Sequence, residues 1–243
     1  VPGKKSKIRQ TKDLYQQASA GLLFEFKRHL AQSPDEKVVA VCSSMRKDGK
    51  TLVSLNLAWG LASRNMRVLL IDVDVFLPQL SRVFSYQESQ GLSDYVNETA
   101  THDQIILPSG IHHNLDVVPA GRSSADFSDE RFMPALETFL GQTLNHYDIV
   151  ILDTPALLYL PELSLFFEQI NLLVPVVRIR HTTRPSFDQL MKMLTSTHTP
   201  IAGVVLNDIK SIPGLPKGKY GYGNYGYYGY DYPRKEPNPC QKK

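Results

Sequence analysis

The chain has 243 residues, with 27 Lys and Arg against 24 Asp and Glu, and its formal net charge is +3 at pH 7. A charge so close to balance gives no reason to expect nucleic acid as a partner. The two cysteines, Cys42 and Cys240, lie far apart, which excludes a disulfide framework and favours a reducing cytoplasm. We expect neither a signal peptide nor a membrane span.

Residues 1–13 are predicted to be a basic, flexible start. They carry Lys4, Lys5, Lys7, Arg9 and Lys12. A segment of this kind is either a solvated end or a stretch that lies near an anionic membrane surface.

Residues 14–209 are predicted to form one domain in which strands and helices alternate. Short apolar runs rich in β-branched residues indicate buried strands, and apolar residues at helical spacing indicate helices. The predicted strands are 37–42, 67–71, 115–118, 147–152, 171–177 and 201–206, and the predicted helices are 14–30, 51–63, 132–144 and 186–194. Residues 97–113 are expected to form a surface excursion. The alternation predicts an α/β fold with a mostly parallel sheet and helices on both faces.

Residues 210–243 are predicted to be a flexible tail that carries a tyrosine cluster. Glycine raises the entropy of the chain, and no strand or helix period runs through the segment, so it is not expected to form a core. The exposed phenols are candidate phosphoacceptors, and the alternative is a low-complexity linker that binds a partner. Seven of the chain's 12 tyrosines lie here, at Tyr220, Tyr222, Tyr225, Tyr227, Tyr228, Tyr230 and Tyr232.

A phosphate-binding loop is predicted between the strand at 37–42 and the helix at 51–63. Ser44 stands where the usual first glycine of a P-loop would be, and the segment ends in Gly49-Lys50-Thr51. Gly49 lets the backbone approach closely, Lys50 supplies a charge to the β and γ phosphates, and the Thr51 hydroxyl ligates Mg²⁺. The candidate nucleotide-binding residues are Ser44, Arg46, Lys47, Asp48, Gly49, Lys50, Thr51 and Leu52.

Three aspartates follow two of the predicted strands. Asp72 and Asp74 come after the strand at 67–71, and Asp153 comes after the strand at 147–152. Each aspartate alone is more often a helix cap or a turn residue. Because ligands gather at the carboxyl ends of parallel strands, the three beside the loop predict a site that holds Mg²⁺ and orients an attacking hydroxyl.

Together these motifs resemble those of bacterial tyrosine kinases of capsule and exopolysaccharide biosynthesis, which belong to the deviant-Walker P-loop ATPases. The similar segments are 68–74 with Pro78, 148–155, 114–121 and 203–207, followed by the tyrosine tail. The resemblance implies a P-loop NTPase fold of the deviant-Walker type. It also implies an ATP-dependent tyrosine autokinase that phosphorylates its own C-terminal cluster and regulates polysaccharide polymerisation and export.

The resemblance implies roles for individual residues as well. Lys50, Asp72 and Asp74 are the implied catalytic residues, and Asp74 receives or orients the tyrosine proton. Thr51, Asp72 and Asp153 are the implied Mg²⁺ ligands, with Asp153 acting through water.

The implied cofactors are Mg²⁺ and ATP, with Asn207 near the adenine. The implied partners are a membrane chain-length regulator, also called a polysaccharide co-polymerase, and further copies of this chain. The implied location is the inner face of the cell membrane, reached through that partner or through an N-terminal portion that precedes this sequence.

Departures from the family pattern keep two alternatives open. Phe76 stands where the family has arginine, and Gly21, Phe24 and Lys27 stand where it has the charged residues of a ring-packing helix. These departures favour a non-catalytic relative that binds a partner, whereas the intact lysine and aspartates argue against it. The second alternative is a deviant-Walker ATPase switch without kinase activity, to which the tyrosine tail is incidental.

Overall fold

The computed structural model describes residues 23–24, 26–29, 31–32, 37–122, 129–159, 167 and 169–208. Helical residues at 23–24, 26–29 and 31–32 agree with the predicted helix at 14–30, whose other residues lie outside this set, as do the basic start and the tyrosine tail. Among the described residues, no helix is long and apolar enough to cross a membrane.

Seven strands and six α-helices, numbered here in chain order from residue 37, make up the described domain. The strands are β1 (Val38–Ser43), β2 (Val68–Asp72), β3 (Leu107–Pro108), β4 (Leu115–Val118), β5 (Ile149–Ala156), β6 (Leu172–Arg178) and β7 (Val205–Asn207). The helices are α1 (Lys50–Ala62), α2 (Gln79–Val83), α3 (Leu92–Val96), α4 (His102–Ile105), α5 (Phe132–Thr143) and α6 (Arg184–Ser196).

The strands form one sheet in the order β3-β4-β2-β5-β1-β6-β7. Every neighbouring pair is parallel except β3 and β4. The first strand therefore lies inside the sheet, between β5 and β6, and its own register partners come late in the sequence.

Apolar side chains of the strands point alternately into two cores, one on each face of the sheet. Val39 and Val41 pack with α1 on one face, whereas Val38 and Ala40 pack with α5 and α6 on the other. Because both faces are covered, the inner strands are continuous apolar runs, as expected for a parallel sheet. The predicted α/β fold with a mostly parallel sheet is confirmed.

Three local predictions were wrong. The segment 97–113 is more than a surface excursion, because it contains α4 and the antiparallel edge strand β3, and Ile105 is fully buried. The last strand begins only at Val205, since Gly203 adopts a φ of 137° and Ile201 forms a single bridge. Strand β5 continues three residues past Asp153 to Ala156.

Candidate functional site

The loop after β1 is shaped by a glycine that no other residue could replace without strain. Gly49 has a φ of 98°, in the left-handed region that favours glycine. A side chain at this position would also collide with Nδ2 of Asn207. That Nδ2 atom donates to the carbonyl oxygen of Asp48 at 2.9 Å, so the end of β7 holds the loop at its last turn.

Lys50, the first residue of α1, is a buried cation next to this loop. Its side chain is only 8% exposed, and Nζ donates to Oγ of Ser43 at 3.1 Å. Burial lowers the pKa of Lys50, and the carboxylates of Asp153, Asp74 and Asp48 act in the opposite direction. A lysine held in this way supplies a positive charge beside the loop where phosphates would bind.

Asp48 contacts residues 181–182, which follow β6. It is fully buried, and its carboxylate accepts hydrogen bonds from the backbone N–H of Met45 at 3.1 Å and from Oγ1 of Thr182 at 2.8 Å. His181 lies 3.9 Å from the same carboxylate. The loop is therefore fixed by contacts from residues that follow β6.

The remaining predicted loop residues have different surroundings. Arg46 places its guanidinium 5.1 Å from the centre of the Tyr159 ring, and exposed Lys47 has a positive φ of 67°. Ser44 is fully buried, and its Oγ lies 3.5 Å from Oγ of Ser186. Thr51 and Leu52 are half-buried in the first turn of α1.

Two buried carboxylates lie side by side on adjacent strands. Asp72 and Asp153 are register partners on β2 and β5, and both are almost completely buried. Burial and the Asp153 carboxylate raise the pKa of Asp72 well above its usual range. Burial raises the pKa of Asp153 to about 6, although hydrogen bonds from Thr51 and Ser54 oppose the shift. Two such carboxylates remain ionised together most readily when a cation lies between or beside them.

These residues fit a divalent cation. Oδ1 of Asp72 is buried and has no hydrogen-bond partner, although buried carboxylate oxygens are normally satisfied. Within the described part of the chain, no group of three or more His, Cys, Asp or Glu side chains is arranged to hold a metal ion. A Mg²⁺ ion would therefore need the Thr51 hydroxyl, phosphate oxygens and water in addition to the carboxylates, which suits an ion that keeps several waters and binds substrate phosphates.

Asp74 belongs to the same electrostatic cluster but is more accessible. It is half-buried, and its Oδ1 accepts from the backbone N–H of Leu77 at 3.0 Å. Its charge contributes to the raised pKa values of Asp72 and Asp153. Phe76, two residues further on, is 45% exposed. A carboxylate in this position is accessible to a molecule that approaches the edge of the sheet.

The structure thus brings Lys50, Thr51 and the three aspartates together at the carboxyl edge of the sheet. Asn207 also reaches this edge, where it contacts the loop. Phe24 and Lys27 are exposed. Gly21 and the seven tyrosines of the tail lie outside the described residues, so the predictions made for them stay predictions.

Several polar residues of the site were missed in the sequence. Ser54 donates to Oδ1 of Asp153 at 3.0 Å, and its position one helical turn after Lys50 was a usable signal. Ser81 donates to Asp72, and Thr182 donates to Asp48. Neither of these two lies close in sequence to the loop, so no local pattern marked them.

Comparison with known proteins places these features in a family. The AAA domain family AAA_31 matches residues 36–199, about two thirds of the chain. The chain is 25% identical over 171 residues to the putative tyrosine-protein kinase CapB of Staphylococcus aureus, covering 70% of this chain and 75% of CapB. It spans only about a quarter of the length of several other curated relatives that are named as tyrosine-protein kinases.

Solved structures share the fold. The kinase domain of the Escherichia coli tyrosine kinase ETK has a TM-score of 0.71 and 24% identity, covering 86% of this chain and 80% of that domain. The septum site-determining protein MinD of Pyrococcus horikoshii, complexed with Mg-ADP, has a TM-score of 0.56 and 21% identity, covering 70% of this chain and 69% of that one. Both have the P-loop fold described above.

Proposed function

This chain belongs to the AAA domain family AAA_31, and we propose that its site binds ATP with Mg²⁺ and transfers the γ-phosphoryl group to tyrosine. In this function the chain is a protein tyrosine autokinase that modifies its own C-terminal cluster. The observation that carries the proposal is the convergence of buried Lys50, Asp72 and Asp153 with accessible Asp74 at one edge of the sheet. The similarity to CapB supports the choice of tyrosine as the acceptor.

The proposed reaction forms a bond between the phenolic oxygen of a tyrosine and the γ-phosphorus of ATP. The bond from that phosphorus to the bridging oxygen breaks, and ADP leaves with the electron pair. Asp74 takes the phenolic proton, because it is the most accessible carboxylate of the cluster. Lys50 neutralises charge on the phosphates, and backbone N–H groups of the loop hold them in line.

Thr51, Asp72 and Asp153 would hold the Mg²⁺ ion, which neutralises phosphate charge when it is bound. Ser54 orients Asp153 through the hydrogen bond to Oδ1. Asn207 fixes the loop through the carbonyl oxygen of Asp48, and a role beside the adenine is proposed in addition.

The acceptors we propose are the seven tyrosines of residues 210–243. About 11 residues separate the end of the domain at 209 from Tyr220, which as a flexible chain gives a reach of roughly 15–20 Å. That reach permits delivery to the chain's own site or to the site of a second copy. The names of the relatives support a role in regulating capsule or exopolysaccharide assembly, and we propose a membrane chain-length regulator as the partner that brings copies together at the membrane.

The test uses two full-length variants that each lack one half of the reaction. The enzyme carries Phe in place of all seven tail tyrosines, and the acceptor carries Lys50→Met with an intact tail. After incubation with ATP and Mg²⁺, mass spectrometry should find phosphotyrosine on the tail of the Lys50→Met chain. A reaction of the Lys50→Met chain alone is the control and should give none.

The outcomes separate the alternatives. If only the intact wild type is modified, with first-order kinetics, the phosphoryl group is transferred within one chain and not between copies. If wild type binds nucleotide but gains no phosphotyrosine at any concentration, the kinase proposal is wrong and a nucleotide switch remains. Unchanged nucleotide affinity in a folded Lys50→Met protein would contradict the phosphate role of the lysine.

A further inference from the structure

Ser81 binds the Asp72 carboxylate with two groups at once. Its backbone N–H and its Oγ each donate to Oδ2 of Asp72 at 2.8 Å. Ser81 is only 2% exposed and lies in α2, nine residues after the aspartate. One oxygen of the carboxylate is thereby fixed on two sides, while Oδ1 has no hydrogen-bond partner.

The direction of the Ser81 hydroxyl is determined by a third contact. The backbone N–H of Ala120 donates to Oγ of Ser81 at 2.9 Å. Because an N–H group can only donate, the single proton of the hydroxyl is committed to Asp72. These three hydrogen bonds therefore orient the carboxylate or support the group that orients it.

The contact continues into the turn after β4. The carbonyl oxygen of Ala120 accepts from the backbone N–H of Ser93 at 2.8 Å, and that of Pro119 accepts from the backbone N–H of Leu92 at 2.8 Å. Gly91 permits this approach, since a side chain there would collide with the Pro119 carbonyl. The peptide that supports Ser81 is thus held from both sides by α3.

We propose that Ser81 is the positioning residue of Asp72, and that it presents the Oδ1 oxygen to the Mg²⁺ ion of the bound nucleotide. This inference rests on the proposed binding of nucleotide with Mg²⁺. Ser81 itself touches neither the ion nor the nucleotide. It acts by restricting rotation of the carboxylate, in the way that outer hydrogen bonds orient the ligands of metal sites.

The test measures the equilibrium affinity of full-length protein for ADP with Mg²⁺ and with EDTA. The dissociation constant in EDTA divided by that with Mg²⁺ reports the contribution of the ion to affinity. A residue that only supports the fold does not change this ratio. Ser81→Ala should reduce the ratio 10- to 100-fold, the range found when outer partners of metal ligands are removed, and should leave affinity in EDTA within about twofold.

Ser93→Ala is the matched control. Ser93 is equally buried and lies at the far end of the same contact, but its Oγ has no hydrogen-bond partner, so its loss should leave the ratio unchanged within about twofold. In an Asp72→Asn background, adding Ser81→Ala should have no further effect, because the group it orients has lost its charge.

An unchanged ratio in folded Ser81→Ala, beside an Mg²⁺-dependent wild type, would overturn the inference and leave the proposed function standing. A further loss in the Asp72→Asn background would also overturn it. Wild type that binds no nucleotide would overturn both proposals. If Ser81→Ala does not fold, Ser81→Cys carries the same comparison, because its thiol is of similar size and only a weak donor.

Discussion

Asp148, which precedes β5, and Asp153, which lies within it, are in opposite situations. Asp148, just before the strand, is partly exposed. Its carboxylate accepts two hydrogen bonds from Arg67, one from the backbone N–H at 2.8 Å and one from the guanidinium at 3.1 Å. Partial burial raises its pKa, but the hydrogen bonds from Arg67 outweigh this and lower it. Asp153 is buried beside Asp72, and its pKa is raised to about 6.

The opposite pKa shifts show that the fold stabilises negative charge at the amino end of the sheet and disfavours it at the carboxyl end. At the amino end the fold favours the charged form of the aspartate, so the charge stabilises the folded state. At the carboxyl end the fold disfavours charge on Asp72, Asp153 and Lys50. These charges therefore lower the stability of the protein, and a bound cation and phosphates would offset that loss. The apolar interior between the two ends must supply the stability that the site lacks.

The largest loss of stability is expected from a substitution in the apolar interior. Leu70 is fully buried in the middle of β2, within the core on the α1 face of the sheet. Leu70→Ala should lower the free energy of unfolding by about 2–5 kcal/mol, because it removes buried apolar surface and leaves a cavity. Urea unfolding monitored by circular dichroism measures this change.

If the free energy of unfolding falls by less than about 1 kcal/mol, the apolar interior does not supply the stability that the charged site lacks. As a control, the Leu70→Ala protein that remains folded should bind ADP with Mg²⁺ as wild type does. Leu70 lies two residues before Asp72 and contributes nothing polar to the edge.

Substitution of Asp153 and of Asp148 should change the free energy of unfolding in opposite directions. Between pH 4 and 6 the folded state keeps a proton on Asp153 that the unfolded state has lost, so this group's contribution to stability falls as pH rises through that window. Asp153→Asn removes the cost of the buried charge. Its stability relative to wild type should grow from near zero at pH 4 to about 1–3 kcal/mol at pH 7 without nucleotide.

Asp148→Asn is the matched variant at the other end. The pKa of Asp148 is lowered in the folded state, so its charge stabilises the folded protein above the unfolded-state pKa. Asp148→Asn should therefore be less stable than wild type at pH 7. Thermal unfolding across pH 4–8 measures both. Equal signs for the two variants at pH 7 would contradict the comparison, and Mg²⁺ with ADP should reverse the advantage of Asp153→Asn.

The smallest effect is expected at the contact that fixes the loop from outside. Oγ1 of Thr182 accepts from the backbone N–H of Arg178 at 2.9 Å and donates to Asp48. Thr182→Val keeps the shape but removes one hydrogen bond from each partner, which should lower stability by about 1 kcal/mol and weaken ADP binding a few-fold. Thr195→Val, on the exposed part of α6, is the control and should change neither by a measurable amount.

The sheet could be predicted from the sequence because its strands are buried on both faces. A strand such as Val68–Asp72 is a continuous apolar run that ends in a carboxylate, and this pattern marks both the element and its functional end. Gly49 and Lys50 could be found because their function depends on position between a strand and a helix. The apolar spacing at 97–113 was too short and irregular to show α4 or the buried Ile105.

The supporting contacts of the site could not be predicted. Ser81 reaches Asp72 because the bend at residues 75–77 brings α2 back to the end of β2, and a lone serine in a short helix gives no signal of this. Thr182 and Asn207 lie 134 and 159 residues from Asp48. Contacts over such distances depend on the strand order, which the pattern of elements alone does not determine.

The strand order also decides when this protein becomes functional during its synthesis. Strands β1 and β2 are made before β5, but they are not neighbours, and both pair with β5. An emerging chain therefore holds two apolar strands without their main partner, a condition that favours association with chaperones or with other chains. The loop at Gly49 is completed only when Asn207 has been made, 159 residues after its partner Asp48. At ordinary elongation rates that interval is roughly 8–30 s, so the phosphate-binding loop is synthesised well before the residue that fixes its last turn.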